Sequence, residues 1–221
     1  LTYLAREMVG EGRDDELRDY LNQIDQSSQY LLSLLNNIMD MSKIESSKYE
    51  INAKPFNISS VLDEVYSVFS ATMSTKGIKL TINSDAVTSP DVIGDEISLR
   101  KILNNLLSNA NKFTRSGGSV TIFASQKQMN EKAAILHLEV ADTGVGISEE
   151  FIGHLFEPYT QEMSENGGRA AGSGLGMAIC KSMIDLQGGS ISVRSRLGEG
   201  TTFYVDIPYS FGKAAVKEIE A

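Results

Sequence analysis

Residues 104–114, NNLLSNANKFT, decide the fold of this chain. Asn105, Asn109 and Lys112 are spaced i, i+4, i+7, which on an α-helix sets all three on one face. Leu99, Ile102, Leu106, Ala110 and Phe113 recur at about 100° per residue as a separate apolar stripe, roughly a quarter-turn away. One helix thus carries a core face and, beside it, a row of two amides and an ammonium. Amide oxygens ligate hard cations such as Mg²⁺, and an ammonium neutralises phosphate. For this helix alone, a plain solvated face is an equally good reading. Three glycine clusters farther along shift the balance.

The first cluster, Asp142–Thr143–Gly144–Val145–Gly146, follows directly from a strand pattern. A carboxylate at a strand end, beside backbone that glycine leaves open, can accept a hydrogen bond from an exocyclic amine such as that of adenine. Taken alone it reads equally as a turn with an Asx-type hydrogen bond. The second cluster, Gly172–Ser173–Gly174–Leu175–Gly176, stands at a helix start, where backbone N–H groups and the helix dipole suit phosphate. It is neither a dinucleotide fingerprint nor a P-loop: Met177 replaces the third glycine of the former, and Ser173 the lysine of the latter. The third, Gly198–Glu199–Gly200–Thr201, reads by itself as a hairpin turn.

Working outward, residues 1–9 have apolar spacing suited to a helix, and residues 10–15 read as a turn. A long helix is expected over 14–46. Leu17, Leu21, Ile24, Ser28, Leu31, Leu35 and Ile38 alternate four and three apart, a heptad seam with one polar step. Leu34 and Met41 widen it toward bundle packing. The short first helix cannot cover such a stripe, so the pair predicts an antiparallel hairpin that dimerises into a four-helix bundle. The competing reading packs the stripe on the following domain.

Residues 46–55 read as a polar linker ended by Pro55. Beyond it the pattern predicts a helix from Ile58 to Gly77, a strand over 78–83 and a very short strand at Val92–Ile93. Asp95 caps the central helix. Strands over 119–125 and 134–141 flank a polar loop, 126–132. A short helix and turn cover 151–159, residues 161–171 carry no pattern, a helix covers 175–187, and strands cover 190–195 and 201–207. The fold class expected is α+β: the helical hairpin (1–54), an α/β sandwich of one mixed sheet against three helices (55–210), and a tail or linker (211–221).

The 221 residues suit one or two domains, and 41% hydrophobic content suffices for a core. The net charge of −9 and the lack of a basic run argue against nucleic acid or an anionic membrane as partner. The single cysteine, Cys180, permits no internal disulfide and fits a reducing cytoplasm. No apolar run is long enough to span a bilayer. The first residue is Leu, so the chain reads as a piece of a longer protein.

The ordered set NLLSNANKFT, DTGVG, LFEPY, GSGLG and GEGTTF closely resembles the N, G1, F, G2 and G3 boxes of sensor histidine kinases. The resemblance covers about 56–208, and the hairpin before it resembles the dimerisation and phosphoacceptor domain of that family. It implies a Bergerat-type ATP-binding fold. It implies that Asn109, assisted by Asn105, ligates Mg²⁺ on the ATP phosphates, that Lys112 contacts phosphate, and that Phe113 lines the base pocket. Asp142 would pair with the adenine amine, with Gly144 and Gly146 giving room. Gly172, Gly174 and Gly176, with Leu175 between them, would hold the phosphates, and Thr201 would complete the site. Residues 161–171 would form a mobile lid, with Phe156 near its hinge. By charge and place, Arg169 in the lid is a candidate for the γ-phosphate. Ser173, Met177 and Tyr159 stand where Thr, Leu and Phe are commoner.

The departure is at the start. The family's phosphoaccepting histidine belongs in the first hairpin helix, but the only histidines here are His137, in a strand, and His154, before the lid; both read as structural. The expected acceptor lies upstream of Leu1. Gyrase-type and chaperone ATPases of the same fold carry a water-activating Glu one turn before the metal-binding Asn. Asn105 stands at that position and has no basicity, so water attack is disfavoured. The implied function is the ATP-binding module of a two-component histidine kinase, passing phosphate to the histidine and then to an aspartate of a receiver domain, which the tail after Pro208 leaves room to be fused. The alternative is a non-catalytic nucleotide-binding and dimerisation module.

Overall fold

The computed structural model describes residues 14–162 and 173–211. The first arm of the expected hairpin, most of the expected lid and the C-terminal tail lie outside them. The chain divides between Tyr49 and Glu50 into two compact units.

In the first unit, helix α1 runs Asp14–Glu45, 32 residues without a break. It contains neither Gly nor Pro, the residues that most readily end a helix. Its heptad residues Leu21, Leu31, Leu35 and Ile38 are all exposed by half or more.

The second unit opens with strand β1 (Lys54–Asn57), whose first two residues fall at the end of the stretch, 46–55, read from sequence as linker. Helix α2 (Ile58–Thr75) follows, capped by the Asn57 side chain, which accepts from Ser60 N at 3.1 Å. It ends where Gly77 takes φ +71° and Ile78 N reaches back to Met73 O, a left-handed glycine stop. Strands β2 (Lys79–Ala86) and β3 (Asp91–Gly94) lead to helix α3 (Glu96–Phe113). Buried Asp95 caps α3, Oδ1 accepting from Ser98 N at 3.0 Å.

Strands β4 (Ser119–Asn130) and β5 (Ala133–Asp142) are longer than their apolar patterns suggest. The ladder continues through the polar stretch expected as a loop, as far as Asn130 opposite Ala133. Backbone pairing needs no apolar side chain, so the hydrophobic pattern understates it. Helix α4 is only Glu149–Ile152, capped by Ser148, and the expected continuation to 159 is a series of turns. Helix α5 (Gly176–Leu186) and strands β6 (Ser190–Arg196) and β7 (Gly200–Phe211) complete the unit.

The seven described strands form one sheet in the order β1-β3-β7-β5-β4-β2, with β6 also paired to β7. Of their pairings only that of β2 with β4 is parallel, so the sheet is mixed as expected. Residues of β4, β5 and β7 alternate between buried and half-buried, the period of two that one covered face produces. The covered face meets α2, α3 and α5. Leu99, Ile102, Leu103, Leu106 and Leu107 of α3 are almost wholly inaccessible, and α3 packs on both other helices. Phe113 departs from the stripe assigned to it: it is 37% exposed, because α3 ends there, past the core.

Candidate functional site

The two amides in the polar row of α3 do not face open solvent. Asn105 and Asn109 are half-buried against the first turns of α5. The Asn105 amide hydrogen-bonds with the Cys180 thiol, and burial pushes that thiol up to about 12, leaving it protonated and inert. A Cβ on Gly176 would lie 2.9 Å from Asn105 Oδ1, so glycine lets the helices approach here. Asn109 Nδ2 donates to Met177 Sδ at 3.3 Å. Lys112 Nζ lies 4.4 Å from the centroid of the Phe113 ring. Desolvation lowers the Lys112 pKa from its ordinary value, although the residue as a whole remains exposed.

The end of α3 is tied to the first glycine cluster. Phe113 O accepts from Val145 N at 3.3 Å, and a Cβ on Gly144 would stand 2.7 Å from the same oxygen. Asp142, the last residue of β5, receives hydrogen bonds from the backbone of Gly144 (2.8 Å) and of Thr201, its cross-strand neighbour. Burial outweighs those bonds and raises its pKa above the ordinary carboxylate value.

The third cluster closes on the first. Gly198 N donates to Val145 O at 2.8 Å, and Gly146, at φ +73°, approaches so closely that a Cβ would be 2.0 Å from Arg196 O. Buried Thr201 is held by Ser195, which sequence reading did not single out. Ser195 Oγ lies 2.8 Å from Thr201 Oγ1, donates to Gly200 O (2.9 Å) and accepts from Ile147 N (2.8 Å). One hydroxyl thus joins both loops. Nothing in its sequence context separates it from the neighbouring serines of β6.

At the second cluster, Leu175 is buried and Gly174 takes φ +70°. Among the described residues no side-chain hydrogen bond caps α5, and the first N–H groups of a helix are those that suit an anion. Tyr159 N donates to Gly174 O at 2.9 Å, which brings together the two ends of the segment expected as a lid. Of the expected set, Asn105, Asn109, Lys112, Phe113, Asp142, Gly144, Gly146, Gly174, Leu175, Gly176 and Thr201 lie on or beside the interlocked first and third clusters, the start of α5 and the α3–α5 seam. Arg169 and Gly172 lie outside the described residues. His137 sits among carboxylates on the half-exposed face of the sheet, and His154 pairs at 3.0 Å with Glu157.

Among the described residues, no cluster of three His, Cys, Asp or Glu side chains is placed to hold a metal. A hard cation here would draw on an amide oxygen and on oxygens of its own ligand, and Asn109 fits that donor set. No helix among those residues is long and apolar enough to cross a membrane.

Residues 94–210 match the family model described as histidine kinase-, DNA gyrase B-, and HSP90-like ATPase, and residues 3–47 match that of the His kinase A (phospho-acceptor) domain. The autoinducer 2 sensor kinase/phosphatase LuxQ of Vibrio parahaemolyticus is 36% identical over 197 residues, 87% of this chain and 23% of LuxQ. The signal transduction histidine-protein kinase BarA of Escherichia coli is 34% identical over 190 residues, 86% of this chain and 21% of BarA. The chain therefore spans under a quarter of the length of either relative. Among solved structures, full-length ShkA in complex with AMPPNP superposes with a TM-score of 0.73 at 30% identity, covering 90% of this chain and 40% of ShkA.

Proposed function

Because the chain belongs to the histidine kinase-, DNA gyrase B- and HSP90-like ATPase family and carries a His kinase A domain ahead of it, as sensor histidine kinases do, we propose that it binds Mg²⁺-ATP and presents the γ-phosphate to a histidine upstream of Leu1. The observation that carries this reading is the convergence of the Asp142 carboxylate with the Asn105–Asn109–Lys112 row and the uncapped start of α5.

The residues divide the work by chemistry. Ionised Asp142 accepts the adenine amine, its orientation fixed by the Gly144 and Thr201 N–H groups. The first N–H groups of α5, with Gly174 and Gly176, receive phosphate oxygens, and Lys112 offsets their charge. Asn109 supplies an amide oxygen to Mg²⁺. Bound Mg²⁺ neutralises phosphate charge. Phosphoryl transfer depends mostly on such positioning and neutralisation. Asn105 cannot take a proton from water, so the γ-phosphate is kept for the imidazole. Its nitrogen bonds to phosphorus as the bond to ADP breaks, and a receiver-domain aspartate takes the group next. We place the chain in the cytoplasm, where ATP and reduced Cys180 both persist, and we assign α1 to a homodimer.

The test is calorimetric titration with Mg²⁺-ADP of the unmodified chain and Asp142→Asn. Saturable binding that weakens at least about tenfold in the variant is expected, the size of a lost hydrogen bond to a charged group. Affinity should also fall on acidification, with a midpoint above the ordinary aspartate value, because the proton competes with the amine. The raised pKa means that ionised Asp142 costs folding stability as pH rises, so Asp142→Asn should melt no lower at neutral pH. No saturable binding by the unmodified chain overturns the proposal.

A further inference from the structure

Two sulfur atoms line the α3–α5 seam. On α3, Asn105 and Asn109 stand four residues apart; on α5, Met177 and Cys180 stand three apart. Asn109 meets Met177 and Asn105 meets Cys180, so the two helices run antiparallel along this contact, and the axial separations of the pairs, about 6 and 4.5 Å, nearly match. Met177 is 8% exposed and Cys180 is wholly buried. The partner of each amide is therefore a fixed group of the protein.

An amide presents a donor on one side and an acceptor on the other, and the two ends are nearly identical in shape. Packing alone does not choose between them. For a residue expected to ligate Mg²⁺ the choice decides the chemistry: the oxygen binds a cation, whereas the NH₂ group repels it. At Asn109 the NH₂ is committed to Met177 Sδ at 3.3 Å. A thioether has no proton to give, so it accepts from the NH₂ and offers nothing to the oxygen. Leucine would fill the volume without making that selection.

We propose that Met177 is a positioning residue for the metal ligand: its sulfur holds the Asn109 amide with the oxygen turned to the nucleotide's Mg²⁺. The proposal rests on the Mg²⁺-ATP reading above and adds the side chain that sets the ligand's orientation. Met177 touches neither metal nor nucleotide in this account; it acts through Asn109.

The experiment measures affinity for AMPPNP with Mg²⁺ and with EDTA, in the unmodified chain, Met177→Leu, Met177→Gln, Asn109→Ala and the Met177→Leu/Asn109→Ala double variant. Met177→Leu should lose about two- to tenfold of the Mg²⁺-dependent tightening, the range of one neutral hydrogen bond, with affinity in EDTA unchanged. Met177→Gln, whose amide can turn either its oxygen or its NH₂ to Asn109, should regain only part of it. Met177→Leu should add nothing in the Asn109→Ala background. In the nucleotide-free protein, the Asn109 side-chain NH₂ resonances should shift in Met177→Leu and return toward their original positions in Met177→Gln. Equal weakening with Mg²⁺ and with EDTA would mean that Met177 only packs, and overturns the proposal, as does an unchanged Mg²⁺ effect in folded Met177→Leu. Failure of the unmodified chain to bind nucleotide at all overturns the underlying site reading instead, and this inference with it.

Discussion

At His137, three side chains from two strands meet on the half-exposed face of the sheet. Nδ1 lies 2.6 Å from Asp206 Oδ1 across the ladder, and Nε2 lies 3.2 Å from Glu139 Oε1. Burial lowers the imidazole pKa, but the bonds to Asp206 and Glu139 and their charges outweigh it, so the net value is raised. Folding therefore favours the protonated ring. That contribution is fully present below the ordinary value of 6.5 and is lost as pH rises through the raised one. Chemical denaturation across pH 5–9 should show this decline in the unmodified chain and a flatter profile in His137→Gln. The residues that spacing alone could locate were those whose chemistry depends on periodicity: Asn105 and Asn109 share a helical face in any helix. Phe113 obeys the same 100° rule yet leaves the core, because periodicity does not register where the sheet beneath a helix ends. Ser195 was illegible for another reason. Its importance comes from Ile147 and Thr201, which are adjacent to it only after folding.

Among the elements, α3 shows how a single cap serves two segments. Asp95 Oδ1 caps the helix, while Oδ2 accepts from Asn52 N at 3.2 Å, in the segment that leads into β1. Burial, and then the charge of Asp95, push the phenol of Tyr209 up. Removing a side chain with these contacts combines cap loss with an unsatisfied N–H group. Asp95→Ala should cost about 2 kcal/mol and lower the melting temperature by roughly 4–8 °C, with Asp95→Asn recovering part of the loss. The cap was readable, since Asp before a polar-apolar repeat is a helix start in any context. Strand β1 was not, since Pro55 argues against a strand. It is tolerated because β1 is the sheet edge, where a missing N–H deprives no further neighbour.

For the molecule as a whole, the heptad stripe of α1 and the mixed sheet were both visible in the pattern of apolar residues. The antiparallel partner of α1 was inferred from the area its stripe leaves uncovered. If that stripe forms a homodimer, charge within it should be intolerable. The Leu31→Lys/Leu35→Lys double variant should sediment as a monomer, whereas the unmodified chain sediments as a dimer; a dimer that persists in the variant would place the contact elsewhere. The central position of β7 has a further consequence, in time rather than in space. It is the last of the described strands, yet β3, β5 and β6 all pair with it. Chains leave the ribosome N-terminus first. Until Gly200–Phe211 emerges, β5 keeps an open edge and Asp142 lacks its Thr201 partner. A translation product cut short before residue 200 therefore lacks the Thr201 side of the proposed adenine site and leaves a strand edge open to pairing with other chains.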